Sequence, residues 1–171
     1  MTTRTDHDVV VAGGRVAGAA TARLLAAQGY DVVVLERATP YRDTLSTHGL
    51  SRGGVVQLAR WGVLERLLAG GAPPIRAVTF VRPGEAVTRQ VKDRAGVDLL
   101  LAPRRWALDA LLADAAVEAG ARLETGTTVT DLLRGPDGRV TGVRATAPGA
   151  SMSTTRGWSS APTGCAPRWP G

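Results

Sequence analysis

The sequence predicts an α/β domain built on a parallel sheet, and three observations carry that prediction. Two short, β-branched apolar runs, Asp8 to Ala12 and Val32 to Leu35, have the composition of strands buried on both faces. Between them Ala19, Ala20, Ala22, Leu24, Leu25 and Ala26 make a helix of small and apolar residues that can lie close on a sheet, with Gly29 as its C-cap. A glycine-containing turn, Gly13-Gly14-Arg15-Val16-Ala17-Gly18, joins the first strand to that helix. Residues 8 to 37 thus read as one complete strand-turn-helix-strand unit.

The unit has the chemistry to hold the ADP half of a dinucleotide. Gly13 allows a tight bend and Gly18 allows close helix-strand packing. The free N–H groups at the helix N-terminus suit a pyrophosphate. Glu36 stands at the spacing of the carboxylate that accepts a ribose hydroxyl. One position departs from the usual pattern, because the middle glycine is Arg15. Either that peptide sits at negative φ, or the phosphates shift slightly. Its guanidinium either lies along a phosphate edge as a charge-assisted partner or points to solvent.

Composition agrees with a single core. With 171 residues, 44% of them hydrophobic, the chain can bury one sizeable core. No apolar run is long enough to span a bilayer, and Met1 to His7 lacks the apolar core of a signal peptide, so the expectation is a cytoplasmic protein. The single cysteine, Cys165, excludes an internal disulfide framework and a cysteine-rich metal site, and no metal is expected. The net charge of +6 comes from arginines scattered along the chain, without a basic run or interleaved aromatics. That distribution favours a small anionic ligand over nucleic acid.

After Glu36 and Arg37 comes a loop, Ala38 to Gly49, too long for a minimal turn and rich in hydrogen-bonding side chains. A helix is expected from about Ser51 to Trp61, with Val55, Val56, Leu58 and Ala59 inward, then a short one over Val63 to Ala69 and a breaker, Gly70 to Pro74. Ile75 to Arg82 and Ala86 to Val91 read as a hairpin around Pro83-Gly84. Val97 to Ala102 reads as extended. An amphipathic helix, Trp106 to Ala119, carries Leu108, Leu111, Leu112, Ala115 and Ala116 and ends at Gly120. Arg122 to Glu124, Thr127 to Leu133 and Arg139 to Ala145 read as strands, the last two joined by Pro136-Asp137-Gly138.

Four of these features together resemble the FAD-dependent monooxygenase and oxidoreductase superfamily of p-hydroxybenzoate hydroxylase and the geranylgeranyl reductases. They are the fingerprint ending in Leu35-Glu36-Arg37, the loop Asp43 to His48 before a helix, the helix with Arg105, Leu108 and Leu112 ending at Gly120, and the Val129 strand with its Asp137-Gly138 hairpin and Gly142-Val143. A subgroup of the family is similar in carrying Arg at the middle-glycine position. The resemblance implies a Rossmann-like FAD/NAD(P)-binding domain with a parallel sheet and the start of a substrate-domain β-sheet. It implies bound FAD, NAD(P)H as reductant and a small, aromatic or polycyclic substrate. The activity implied is that of an aromatic-ring hydroxylase. A flavin-dependent C=C reductase of the geranylgeranyl reductase type shares every residue argued here, and a non-catalytic nucleotide-binding remnant is a third reading.

Carried over residue by residue, the resemblance places the FAD pyrophosphate at Gly13, Gly14, Arg15, Val16, Ala17 and Gly18, the adenosine ribose at Glu36, and Arg37 beside the adenine. Ser46, Thr47 and His48 fall near the ribityl chain or flavin edge, Arg105 near the ribityl or pyrophosphate oxygens, and Val129 at the adenine through its backbone. His48 has the alternative of a loop histidine bonded to a backbone carbonyl, and Arg105 that of a surface arginine beside Arg104. No residue is named as catalytic, because the family's protein supplies orientation and a dry pocket.

Residues 1 to 147 are read as the N-terminal part of this FAD-binding domain, with about 75 to 101 as inserted substrate-side β segments. From about Pro148 the chain loses any period of 2 or 3.6, and an irregular stretch is expected. Taking each codon from the last base of one residue and the first two of the next, Arg156 to Gly171 reads as RLVVGADGLRSAVAG. That string is similar to the second FAD motif of the same family, where a strand delivers an Asp-Gly pair to the flavin side. The expectation is a chain read out of frame from a point between Ala145 and Arg156, an N-terminal fragment of a flavoprotein.

Overall fold

The computed structural model of the chain describes residues 2–39, 41–44, 49–148 and 150–156. Thr2–His7 forms strand β1 and Val9–Ala12 β2, followed by helix α1 over Val16–Ala26 and β3 over Val32–Glu36. Helices α2, Arg52–Arg60, and α3, Leu64–Ala69, come next, then the short strands β4, Pro74–Ile75, β5, Ala77–Arg82, β6, Glu85–Gln90, and β7, Leu100–Leu101. Helix α4, Arg105–Glu118, leads to β8, Arg122–Thr125, β9, Thr128–Arg134, β10, Val140–Ala147, and β11, Ala150–Arg156.

Strands β2, β3 and β8 run parallel, with Val9 opposite Val32 and Val33 opposite Arg122. All residues of β3 are buried, as a parallel strand covered on both faces requires. On one face Val32 and Val34 pack with Ala22 and Ala26 of α1 and Ala116 of α4. Small side chains let those two helices approach the sheet closely. On the other face Val33 and Leu35 meet Val143 and Ala145 of β10. A further apolar cluster joins α2, α3 and α4 through Val55, Leu67, Leu101, Leu108 and Leu112.

The second sheet has the order β1-β11-β10-β9. Strand β11 pairs parallel with β1 and antiparallel with β10. Between residues 74 and 101 β4 pairs with β7 and β5 with β6, Leu101 of β7 also bridges Leu50, and the hairpin turns at Pro83-Gly84 with Gly84 at φ +80°. Its surface leaves Phe80 and Val81 exposed.

The α/β class, the parallel strands, the helices and the hairpin expected from the sequence are all present. Three differences have physical reasons. Strand β1 was not expected, because TTRTDH carries no apolar alternation; its pairing with β11 makes it a strand. Over residues 150–156 the irregular stretch expected after Pro148 is instead β11, held by main-chain pairing on both sides. Ala59 is exposed where an inward position was expected, since α2 turns only Val55, Val56 and Leu58 to the core. No helix of the described residues is long and apolar enough to cross a membrane.

Candidate functional site

The turn between β2 and α1 is shaped by its glycines. Gly13 has φ +97°, a conformation that side chains rarely adopt, and its N–H donates to the Leu35 carbonyl at 2.8 Å. A Cβ at Gly18 would lie 1.8 Å from the Gly13 carbonyl oxygen, so the helix can cross the turn only with glycine there. Arg15 lies at φ −82° and ψ −168°, extended backbone open to any residue. That geometry decides between the two options left by the sequence: the arginine replaces glycine without strain.

Arg15 is the N-cap of α1 but offers no side-chain cap, and the first internal bond of the helix runs from Ala19 N–H to the Arg15 carbonyl at 2.8 Å. The amides of Val16, Ala17 and Gly18 have no protein acceptor among the described residues. Such uncapped N–H groups at the positive end of a helix attract an anion.

Beside this turn β3 ends in Glu36, which is only 4% exposed. Its Oε2 accepts a hydrogen bond from Gly14 N–H at 2.6 Å and its Oε1 one from Ala38 N–H at 2.8 Å. Each carboxylate oxygen keeps a lone pair for a further donor, such as a ribose hydroxyl. Thr127 N–H donates to the Glu36 carbonyl at 2.9 Å and brings the start of β9 to the same place. Tyr41 covers the turn from the following loop, its hydroxyl donating to the Gly14 carbonyl at 3.0 Å. Burial, with the nearby Glu36 and Asp109 carboxylates, pushes the Tyr41 phenol up to about 12. Asp43 fastens the same loop to the start of α4, accepting from the Arg104 side chain and from the Trp106 N–H. The Arg104 hydrogen bond holds the Asp43 carboxyl below the usual range.

The Arg15 side chain lines a cleft and does not simply point to solvent, because a buried acid on another element holds it. Its Nη1 donates to Asp109 Oδ2 at 2.9 Å, and Arg105 Nη2 donates to Asp109 Oδ1 at 3.1 Å. Asp109 is fully buried on α4, among the apolar Leu108, Leu112, Ala113, Ala115 and Ala116 of that helix. Sequence reasoning missed it. The available signal was an acid on the apolar face one turn after Arg105.

A cleft of about 440 Å³ opens at this point, lined by Gly13, Arg15, Ala17, Gly18, Glu36, Arg37 and Val129, with Thr127 and Thr128. The structure therefore brings most of the sequence-predicted site residues together. Gly14 stands behind the cleft holding Glu36, and Val16 packs against the helical core. Arg105 lies outside the cleft lining and is bound to Asp109. Ser46, Thr47 and His48 lie outside the described residues. A buried carboxylate acceptor for the ribose, with two guanidiniums and uncapped amides as donors for the phosphates, fits the adenosine diphosphate part of FAD.

A family model described as FAD binding domain matches residues 6–155. An uncharacterized GMC-type oxidoreductase of Mycobacterium tuberculosis strain H37Rv is 36% identical over 107 residues, 56% of this chain, which spans only 17% of that protein. Among solved structures, the OxyS anhydrotetracycline hydroxylase from Streptomyces rimosus is 27% identical with a TM-score of 0.70, matched over 90% of this chain and 30% of its own. The myxobacterial chondrochloren halogenase, an FAD-dependent halogenase, is 24% identical with a TM-score of 0.75 over 88% of this chain and 35% of its own. A geranylgeranyl bacteriochlorophyll reductase-like protein from Thermoplasma acidophilum shares the fold at 21% identity and a TM-score of 0.68, over 90% of this chain and 38% of its own.

Proposed function

Since the chain belongs to the FAD binding domain family, we propose that it is the nucleotide-binding portion of an NAD(P)H-using flavoprotein hydroxylase acting on an aromatic or polycyclic small molecule. The observation that carries the reading is the cleft itself. A buried carboxylate and a guanidinium meet there at an uncapped helix N-terminus, beside a glycine turn. Glu36 takes the ribose hydroxyls, the amides of Val16 to Gly18 and the Arg15 guanidinium take the diphosphate, and Arg37 and Val129 flank the adenine. Ser46, Thr47, His48 and Arg105 serve the remainder of the cofactor. FAD supplies the redox and oxygen chemistry, and this chain binds and orients it.

The hydroxylase rather than reductase reading is supported by the 27% identity to an anhydrotetracycline hydroxylase. Within the chain, residues 1–147 form the cofactor part, with about 75–101 facing the substrate. The family match stops at residue 155, where the second reading frame begins to spell the Asp-Gly motif, in keeping with a fragment.

Titration of flavin fluorescence tests the binding reading: the 171-residue chain binds FAD, and ADP displaces it. Absence of FAD binding overturns the reading. Turnover is tested separately, with NAD(P)H oxidation absent in this chain and present in a chain continued in the second frame. Stoichiometric, reducible FAD in the 171-residue chain would show that its last residues are a working part of the protein.

A further inference from the structure

We infer that Asp109 is a positioning residue for the diphosphate subsite, orienting the Arg15 guanidinium at the mouth of the α1 N-terminus. The inference rests on the nucleotide reading of the cleft and adds to it a residue that lies outside it. Asp109 has no exposed surface, and a buried carboxylate is tolerated only when paired and hydrogen-bonded. Two guanidiniums meet it. Arg105, one turn earlier on the same helix, bonds both of its oxygens, at 3.1 and 3.3 Å. Arg15 reaches it from a different element, 94 residues away in sequence.

The two arginines have different situations. Arg105 lies outside the cleft lining and neutralises Asp109 from within the helix, so the acid has a counter-ion independent of Arg15. Arg15 lines the cleft and gives Asp109 a single nitrogen, Nη1. Its Nε and Nη2 have no acceptor among the described residues. A planar guanidinium anchored through one nitrogen is restricted in its orientation and keeps its other N–H groups as a rigid fork, which a flexible ammonium lacks. With the rotamer already selected, less order is lost when a diphosphate arrives. The cluster of two cations and one anion is also net positive, as an anion subsite needs.

The test measures ADP and adenosine as competitors of FAD on the intact chain. Asp109→Asn removes the one negative charge of the cluster and so raises its net charge by one. If the acid only set the local charge, ADP would bind more tightly. Positioning requires the opposite: ADP affinity falls about tenfold, the scale of one charge-assisted hydrogen bond, while adenosine affinity stays unchanged. Arg15→Gln gives the same pattern, and Asp109→Asn adds nothing to it in that background. Arg15→Lys keeps the charge, buries nothing unpaired and removes the fork; it serves where the Asp109 variant fails to fold, and ADP again falls about tenfold with adenosine unchanged. Unchanged or tighter ADP binding in these variants, or an equal loss for adenosine, overturns the inference while the cleft assignment stands. Failure of the wild-type chain to bind either ligand overturns the cleft assignment itself.

Discussion

The Gly14 N–H donates to Glu36 Oε2 at 2.6 Å, so the glycine turn and the end of the second parallel strand are joined through a side chain that also faces the cleft. Removing that carboxylate therefore has two effects. Glu36→Ala weakens ADP and FAD binding by about 1.5–3 kcal/mol, the scale of a hydrogen bond to a charged group. Calorimetry checks it, with thermal melting of the same variant to separate loss of the site from loss of the fold. Wild-type affinity in a folded variant would sink the role of Glu36.

Gly18 and Gly14 differ in what a methyl group would meet. At Gly18 the obstacle is backbone, the Gly13 carbonyl at 1.8 Å, which cannot move without opening the turn. Gly18→Ala is expected to cost about 3 kcal/mol or more. At Gly14 the nearest atoms are all side chain: the Tyr41 hydroxyl at 2.8 Å, the far end of a loop side chain, then Glu36 Cβ at 3.1 Å and Val34 Cγ1 at 3.2 Å, which must give by a few tenths of an ångström. Gly14→Ala is expected to cost about 1 kcal/mol. Denaturant unfolding of the two variants orders them, and a reversed order would mean that the turn is softer than its geometry implies.

Tyr41 links stability to alkaline pH. Its phenol is raised from 10.0 to about 12 in the fold, so the folded chain holds its proton over a range where the unfolded chain releases it. The stability from this group is complete below pH 10.0 and is lost as pH rises toward about 12. Absorbance titration should show a late phenolate that disappears in Tyr41→Phe, and the variant should lose that part of the alkaline stability slope. A Tyr41 titration at the ordinary value would contradict its burial beside the Glu36 and Asp109 carboxylates.

Leu112 of α4 is 1% exposed and packs in the cluster shared by α2, α3 and α4. Leu112→Ala is expected to cost about 2–5 kcal/mol through lost burial and a residual cavity. The expected signature is a lower denaturation midpoint, and a neutral result would show that the helical cluster collapses around the gap.

The parts of this molecule legible in its sequence are those written in local patterns. The Val32 to Leu35 run, the alanine-rich α1, the Gly13 and Gly18 spacing, Glu36 and the Pro83-Gly84 hairpin each follow from periodicity, steric need or turn chemistry within a few neighbouring residues. The parts that were not legible depend on distant partners. Nothing in TTRTDH favours a strand until β11 lies beside it. The Arg15 partner of Asp109 stands 94 residues away in sequence, beyond the reach of any local pattern. Tyr41 has no motif of its own; its role arises from folding back over Gly14.

The pairing of β1 with β11, Thr2 opposite Ser151, reaches across nearly the whole described chain. During synthesis the neighbour of β1 is made only after β2 to β10, so β1 waits for its partner. Closing so long a loop is entropically costly and comes late. Until then the parallel β2-β3 pair and its helices must hold together without β1. The nucleotide-binding unit of 8–37, whose contacts are short in sequence, is expected to form early, before the sheet that backs it is complete.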